Sequence, residues 1–123
     1  MAAAEQKAAN RLTEAERKAA VKRAAQMLAE KTAHFAKEMG VTYGRITIRE
    51  QKTRWGSCSS AGNLNYNWKL VLMPERVMDY VVIHELAHRK EMNHSARFYA
   101  VVAQQMPDYK VWQSWLKEHG REY

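Results

Sequence analysis

The stretch Val81-Val82-Ile83-His84-Glu85-Leu86-Ala87-His88-Arg89-Lys90-Glu91-Met92-Asn93-His94 decides the reading of this chain. It opens with two histidines four residues apart and a glutamate next to the first. On an α-helix, residues four apart differ by about 40° around the axis and by about 6 Å along it. The two imidazoles therefore point the same way and can share one metal ion. Val77 and Val81 precede them on the same stripe, so the pair faces packed structure. Glu85 lies beside the pair, placed to hold a water without ligating the metal.

A metal that works on a substrate takes three protein ligands and keeps a fourth position for water. His94 is the candidate for the third. On a continuous helix it would stand about 15 Å along the axis from His84 and be turned roughly 80° away, too far to close on one ion. The helix is therefore expected to end between His88 and His94. Asn93, the residue there most tolerant of left-handed backbone, is expected at positive φ.

Working outward, Pro74 sits where this helix begins, because its missing N–H costs nothing at the first helical position. The helix is expected over about 74–92, with a middle apolar nearly all round, as suits a helix packed on several sides. Ser95 can cap a third helix that ends near Met106-Pro107. Asp108 can cap a fourth, with Trp112, Trp115, Leu116 and His119 on one face. Upstream, residues 1–12 read as a flexible, Ala-rich lead-in. Thr13-Glu14-Ala15-Glu16 is a capping box. Val21, Ala24, Leu28, Thr32, Phe35 and Met39 then recur at helical steps up to Gly40, predicting a helix over 13–39.

The period next shortens. Arg45–Arg49 alternates polar and apolar as a half-buried strand does, and Leu64, Tyr66 and Trp68 alternate with Asn65 and Asn67. Residues 53–63 between them read as a turn or hairpin loop. Residues 62–67 read as a strand, either an ordinary core strand or an edge strand along which an extended peptide lies, with Asn63, Asn65 and Asn67 as substrate-binding side chains. No repeat or linker interrupts residues 13–123, so one domain is expected. Its class is α+β, a minidomain. A long N-terminal helix and a small antiparallel or mixed sheet flank the buried HExxH helix, and two short helices follow.

Composition sets the limits. The chain has 123 residues and one cysteine, so no internal disulfide framework exists and a reducing, cytoplasmic setting is expected. No apolar run is long enough for a membrane span, and the N-terminus lacks the apolar core of a secretory signal. The net charge is +7, and residues 1–60 carry most of it, with 12 Lys+Arg against 6 Asp+Glu. These charges are interleaved with acids and alanines, which favours a solvated helix face over a nucleic-acid surface.

Taken together, Arg54-Trp55-Gly56-Ser57-Cys58-Ser59, Gly62-Asn63-Leu64-Asn65-Tyr66-Asn67-Trp68, Val81–His88, Glu91-Met92-Asn93-His94-Ser95 and Phe98 resemble the YgjP-like zinc metallopeptidase family, which is related to SprT-like and other zincin-fold proteases. The resemblance runs from about Leu28 to the C-terminus and includes Pro107-Asp108-Tyr109 and Trp115-Leu116. It implies one zinc ion held by His84, His88 and His94, with Glu85 as the catalytic carboxylate. Members of that family carry a further β-rich N-terminal section, where an Ala-rich helix start stands here. The histidine spacing also fits the longer metzincin pattern, but Glu91 occupies its glycine position and Met106-Pro107 reads as a helix end, not a Met-turn.

The expected activity is peptide hydrolysis by a metal-held water that Glu85 activates, on a peptide or protein substrate, by a monomer. The rivals are metal-dependent nucleotide pyrophosphate hydrolysis and a SprT-like protease or binding module recruited to nucleic acid. Phosphate chemistry favours magnesium or manganese over a three-histidine site, which supports zinc. Around the site, Asp79 or Glu91 could orient a ligand histidine. Tyr66, Arg97, Tyr99 and His119 are open candidates for a transition-state donor. Cys58 and Trp55 read as packing residues.

Overall fold

The computed structural model describes residues 7–123. The expected flexible lead-in over 1–12 lies partly, over 1–6, outside the described residues. Ala8–Arg11 forms a single 3-10 turn that buries Ala9.

Helix α1 spans Glu14–Met39. Both bonds of the predicted capping box are present: the Glu16 N–H donates to the Thr13 hydroxyl, and the Thr13 N–H donates to the Glu16 carboxylate. Such a cap stabilises a helix by about 1 kcal/mol. Gly40 ends α1 at φ 69°, where a side chain would be strained. The buried stripe is Ala20, Ala24, Leu28, Thr32, Ala36 and Met39. Small residues along it let α2 and the segment after the sheet approach closely.

Strands β1 (Ile46–Arg49), β2 (Gly56–Cys58) and β3 (Leu64–Asn67) form one mixed sheet in the order β1-β3-β2. The chain passes from β1 to β2 and then hairpins back between them. β3 is therefore parallel to β1, with Ile46 opposite Leu64, and antiparallel to β2, with Ser57 opposite Asn65. Two expectations change here. β2 lies inside the stretch read as a loop, and β3 is the central strand of the sheet, not an edge. Trp68 leaves the strand and starts a 3-10 helix, Trp68–Leu72.

Helix α2 spans Glu75–Ala87, with Pro74 as its N-cap. It is the core of the molecule, packed against α1, β2, α3 (Ala96–Gln105) and α4 (Tyr109–His119). Every residue from Val77 to Ile83 is buried. One of these is Asp79, whose carboxylate lies 2.6 Å from Lys31 of α1 and 3.3 Å from Arg76. Burial disfavours the charge on Lys31, yet Asp79 and Glu75 outweigh it and raise its pKa. Removing one partner of so buried a pair typically costs about 3–5 kcal/mol. Ser95 caps α3 by accepting the Phe98 N–H, as expected. Asp108 precedes α4, but its side chain caps no backbone N–H; its carboxylate accepts from Trp112 and Arg76 instead.

Candidate metal centre

The helix break demanded by the histidine spacing is present, but it is built differently from the expectation. No residue other than glycine has positive φ among the described residues, so Asn93 does not turn the chain. α2 instead tightens at its end. The N–H groups of His88, Arg89 and Lys90 donate to the carbonyls of Glu85, Leu86 and Ala87, three residues back. This 3-10 winding satisfies the last carbonyls of the helix without a left-handed residue. Residues 91–95 then bring His94 back over the helix.

The result is a cluster in which one ligand atom each from His84, His88 and His94 lies within 4.8 Å of the others. The ring centroids are 5.4 Å apart for His84 and His88, 5.2 Å for His84 and His94, and 4.7 Å for His88 and His94. Phe98, fully buried on the first turn of α3, is the common floor, with its ring 4.9, 4.5 and 4.9 Å from those of His84, His88 and His94. His88 is buried, His84 half-buried and His94 exposed, so the cluster opens to solvent on one side.

Two of the three second nitrogens have partners. Nδ1 of His88 lies 3.3 Å from the Glu91 carbonyl oxygen. A carbonyl only accepts, so Nδ1 carries the proton and Nε2 keeps its lone pair. Nδ1 of His84 lies 3.3 Å from Oε2 of Glu85. Burial, then the two neighbouring imidazoles, hold His94 below the ordinary histidine pKa, which favours the neutral ring that ligates metals. Three converging imidazoles, two of them with a second nitrogen held by an oxygen, are a donor set suited to a transition metal.

Glu85 is buried, with 7% of its side chain exposed. Its carboxylate lies against β2. A Cβ on Gly56 would lie 3.1 Å from Oε2 of Glu85 and 3.0 Å from Val81 Cγ1. Glycine at 56 thus lets the strand run directly against the carboxylate. His84 and Glu85 line a pocket of about 250 Å³ together with Tyr80, Arg54 and Trp55.

The other candidates fall elsewhere. Asn63 accepts the Arg45 N–H, Asn65 joins Arg49 to Ser57, and Asn67 donates to the Gln51 and Arg54 carbonyls. Their amides tie the sheet and its loops together. Asp79 belongs to the Lys31 pair, and Glu91 meets His88 through its backbone and not its carboxylate. The Tyr66 hydroxyl is buried against Thr32, and burial drives its pKa far up. His119 pairs with Glu122, while Tyr99 stacks on Tyr109 with its ring 6.4 Å from that of His94. The Cys58 thiol donates to the Ser59 carbonyl, and burial, then Glu85, raise its pKa. Tyr80 escaped the sequence reading. Standing four residues before His84, it shares the helical stripe already used to place Val77 and Val81, so the signal was there.

A helix-borne histidine pair closed by a third histidine beyond the helix end, beside a small mixed sheet, makes a centre able to hold a metal ion. The chain belongs to the YgjP-like metallopeptidase family, whose domain matches residues 1–119. Two solved structures are similar in fold. The metallopeptidase zymogen abylysin of Pyrococcus abyssi is 23% identical, with a TM-score of 0.66 over 74% of this chain and 93% of that one. The metallopeptidase zymogen jannalysin of Methanocaldococcus jannaschii is 18% identical, with a TM-score of 0.64 over 74% and 94%. No curated protein gives a significant match. Among the described residues no helix is long and apolar enough to cross a membrane.

Proposed function

We propose that the chain is a zinc-dependent peptidase in which His84, His88 and His94 hold one zinc ion and Glu85 carries protons. The convergence of the three imidazoles within 4.8 Å, beside a buried carboxylate, is the observation that carries this reading. Zinc bound there supplies Lewis-acid polarisation of the scissile carbonyl and makes water more acidic. Phe98 packs against all three rings and so helps to order the ligands. The Glu85 carboxylate takes a proton from the attacking water and returns it to the amine nitrogen of the departing peptide. Gly56 lets β2 pass close beside that carboxylate. Tyr80 and Arg54 line the same pocket and bring hydrogen-bond donors to it. Burial pushes the Tyr80 hydroxyl up to about 12, so it keeps its proton at neutral pH.

Elemental analysis of the purified chain, followed by casein and nucleoside-triphosphate hydrolysis on the same preparation, tests the reading. One zinc per chain with casein cleavage is expected. Triphosphate hydrolysis without casein cleavage would replace the peptidase with the nucleotide reading.

A further inference from the structure

A cleft of about 1040 Å³ opens beside the sheet, along the side where Trp55 meets Gly120. Six cationic side chains line it, Lys7, Arg17, Lys52, Lys69, Lys117 and Arg121, against one acidic side chain, Glu50. Glu50 is already engaged. It pairs with Arg17, lies 3.7 Å from the Lys69 ammonium and accepts the Trp68 indole N–H. Lys7, Lys52, Lys117 and Arg121 are exposed and meet no carboxylate among the described residues. Unpaired like charges gathered in a concave wall repel one another, and an arriving anion relieves that repulsion.

The cleft adjoins the pocket beside the candidate centre. Thr53, Trp55 and Leu116 line both it and the smaller pocket that holds His84 and Glu85. A polymer lying across Glu85 has the basic cleft within reach past Trp55. We propose that this cleft is a specificity subsite which binds acidic side chains on one side of the scissile bond, making acidic peptide segments the favoured substrate class. The proposal rests on the peptidase reading. Peptide is favoured over nucleic acid because the anion must reach the cleft as part of the polymer lying across Glu85, and a peptide carries the bond that such a centre cleaves.

Binding is measured on zinc-loaded Glu85→Gln by fluorescence anisotropy, so that turnover does not intervene. The probes are fluorescein-labelled peptides with one neutral core, extended on either side by a run of Glu, Gln or Lys. The Glu-extended peptide should bind on the order of tenfold more tightly than its Gln counterpart, in one of the two orientations, with the gap closing at high salt. Introducing Lys52→Glu, Lys117→Glu and Arg121→Glu together should invert the preference toward the Lys-extended peptide, a gain that also shows the variant is folded. Equal affinity for the Glu and Gln peptides in both orientations overturns the proposal. So does charge-dependent binding of a single-stranded DNA oligomer when neither peptide binds. The peptidase reading fails separately, if wild-type protein loaded with zinc binds the Glu peptide but cleaves none of the set.

Discussion

His84 and His94 are ten residues apart in the chain, yet their ring centroids lie 5.2 Å apart, because α2 stops at Ala87 and residues 91–95 fold back over Phe98. In the proposed centre, the exposed His94 is the ligand that the helix alone cannot supply. Its removal leaves the helix and its core untouched. His94→Ala should keep the far-ultraviolet circular dichroism of the wild type while zinc affinity falls by on the order of 100-fold or more in a chelator competition. Unchanged affinity would exclude His94 from the centre.

Gly56 and Glu85 give a second prediction. A methyl group at 56 would press on the Glu85 carboxylate at 3.1 Å and on Val81 at 3.0 Å. The carboxylate is the softer neighbour and should yield by a few tenths of an ångström. Gly56→Ala should therefore bind zinc normally but lose activity, on the order of tenfold in kcat with little change in KM. Equal activity would mean that the carboxylate has room to spare.

Tyr66 separates packing from catalysis. Its hydroxyl lies 3.0 Å from the Thr32 hydroxyl, deep between the sheet and α1. Tyr66→Phe strands the Thr32 group and should cost about 1–3 kcal/mol in urea unfolding. The activity per folded molecule should stay at the wild-type level. A large fall in kcat would return Tyr66 to the list of transition-state donors.

The pH dependence of stability has a traceable source in Glu50. The Trp68 hydrogen bond is the main cause of its lowered pKa, opposed by burial and reinforced by Lys69 and Arg17. A carboxyl lowered in the folded state stabilises the fold above its ordinary value of 4.5 and loses that contribution as pH falls through the folded value. Glu50→Gln should lower stability by about 1 kcal/mol at neutral pH. The gap between variant and wild type should shrink in unfolding curves taken progressively below pH 4.5. A gap that stays constant down to the lowest pH at which the fold survives would remove Glu50 from the account.

The sequence was most readable where the determinants are local. Thr13 and Glu16 form the capping box within one turn, and Gly40 stops the helix by a conformation that other residues resist. The helical stripe through Val77, Val81, His84 and His88 also placed the cluster on the inner face. Non-local choices were harder. Gly56-Ser57-Cys58 has no apolar alternation, so β2 looked like a loop, and its pairing depends on β3 returning inside it. That return also makes β3 the central strand, against the edge position its polar alternation suggested. The need for a turn before His94 followed from ligand geometry, but its form did not. A chain can leave a helix by 3-10 tightening at His88–Lys90 as well as by a left-handed Asn93, and composition does not distinguish the two.

In the proposed reaction Glu85 moves protons at a metal centre it does not ligate. Zinc content and peptide cleavage, measured on one preparation each of wild type and Glu85→Gln, test it most directly. The substitution keeps the shape of the side chain and removes its basicity. The account predicts one zinc per chain in both proteins and a loss of cleavage of about 10²–10⁴-fold in the variant. Full cleavage by Glu85→Gln, or loss of its zinc, would contradict it.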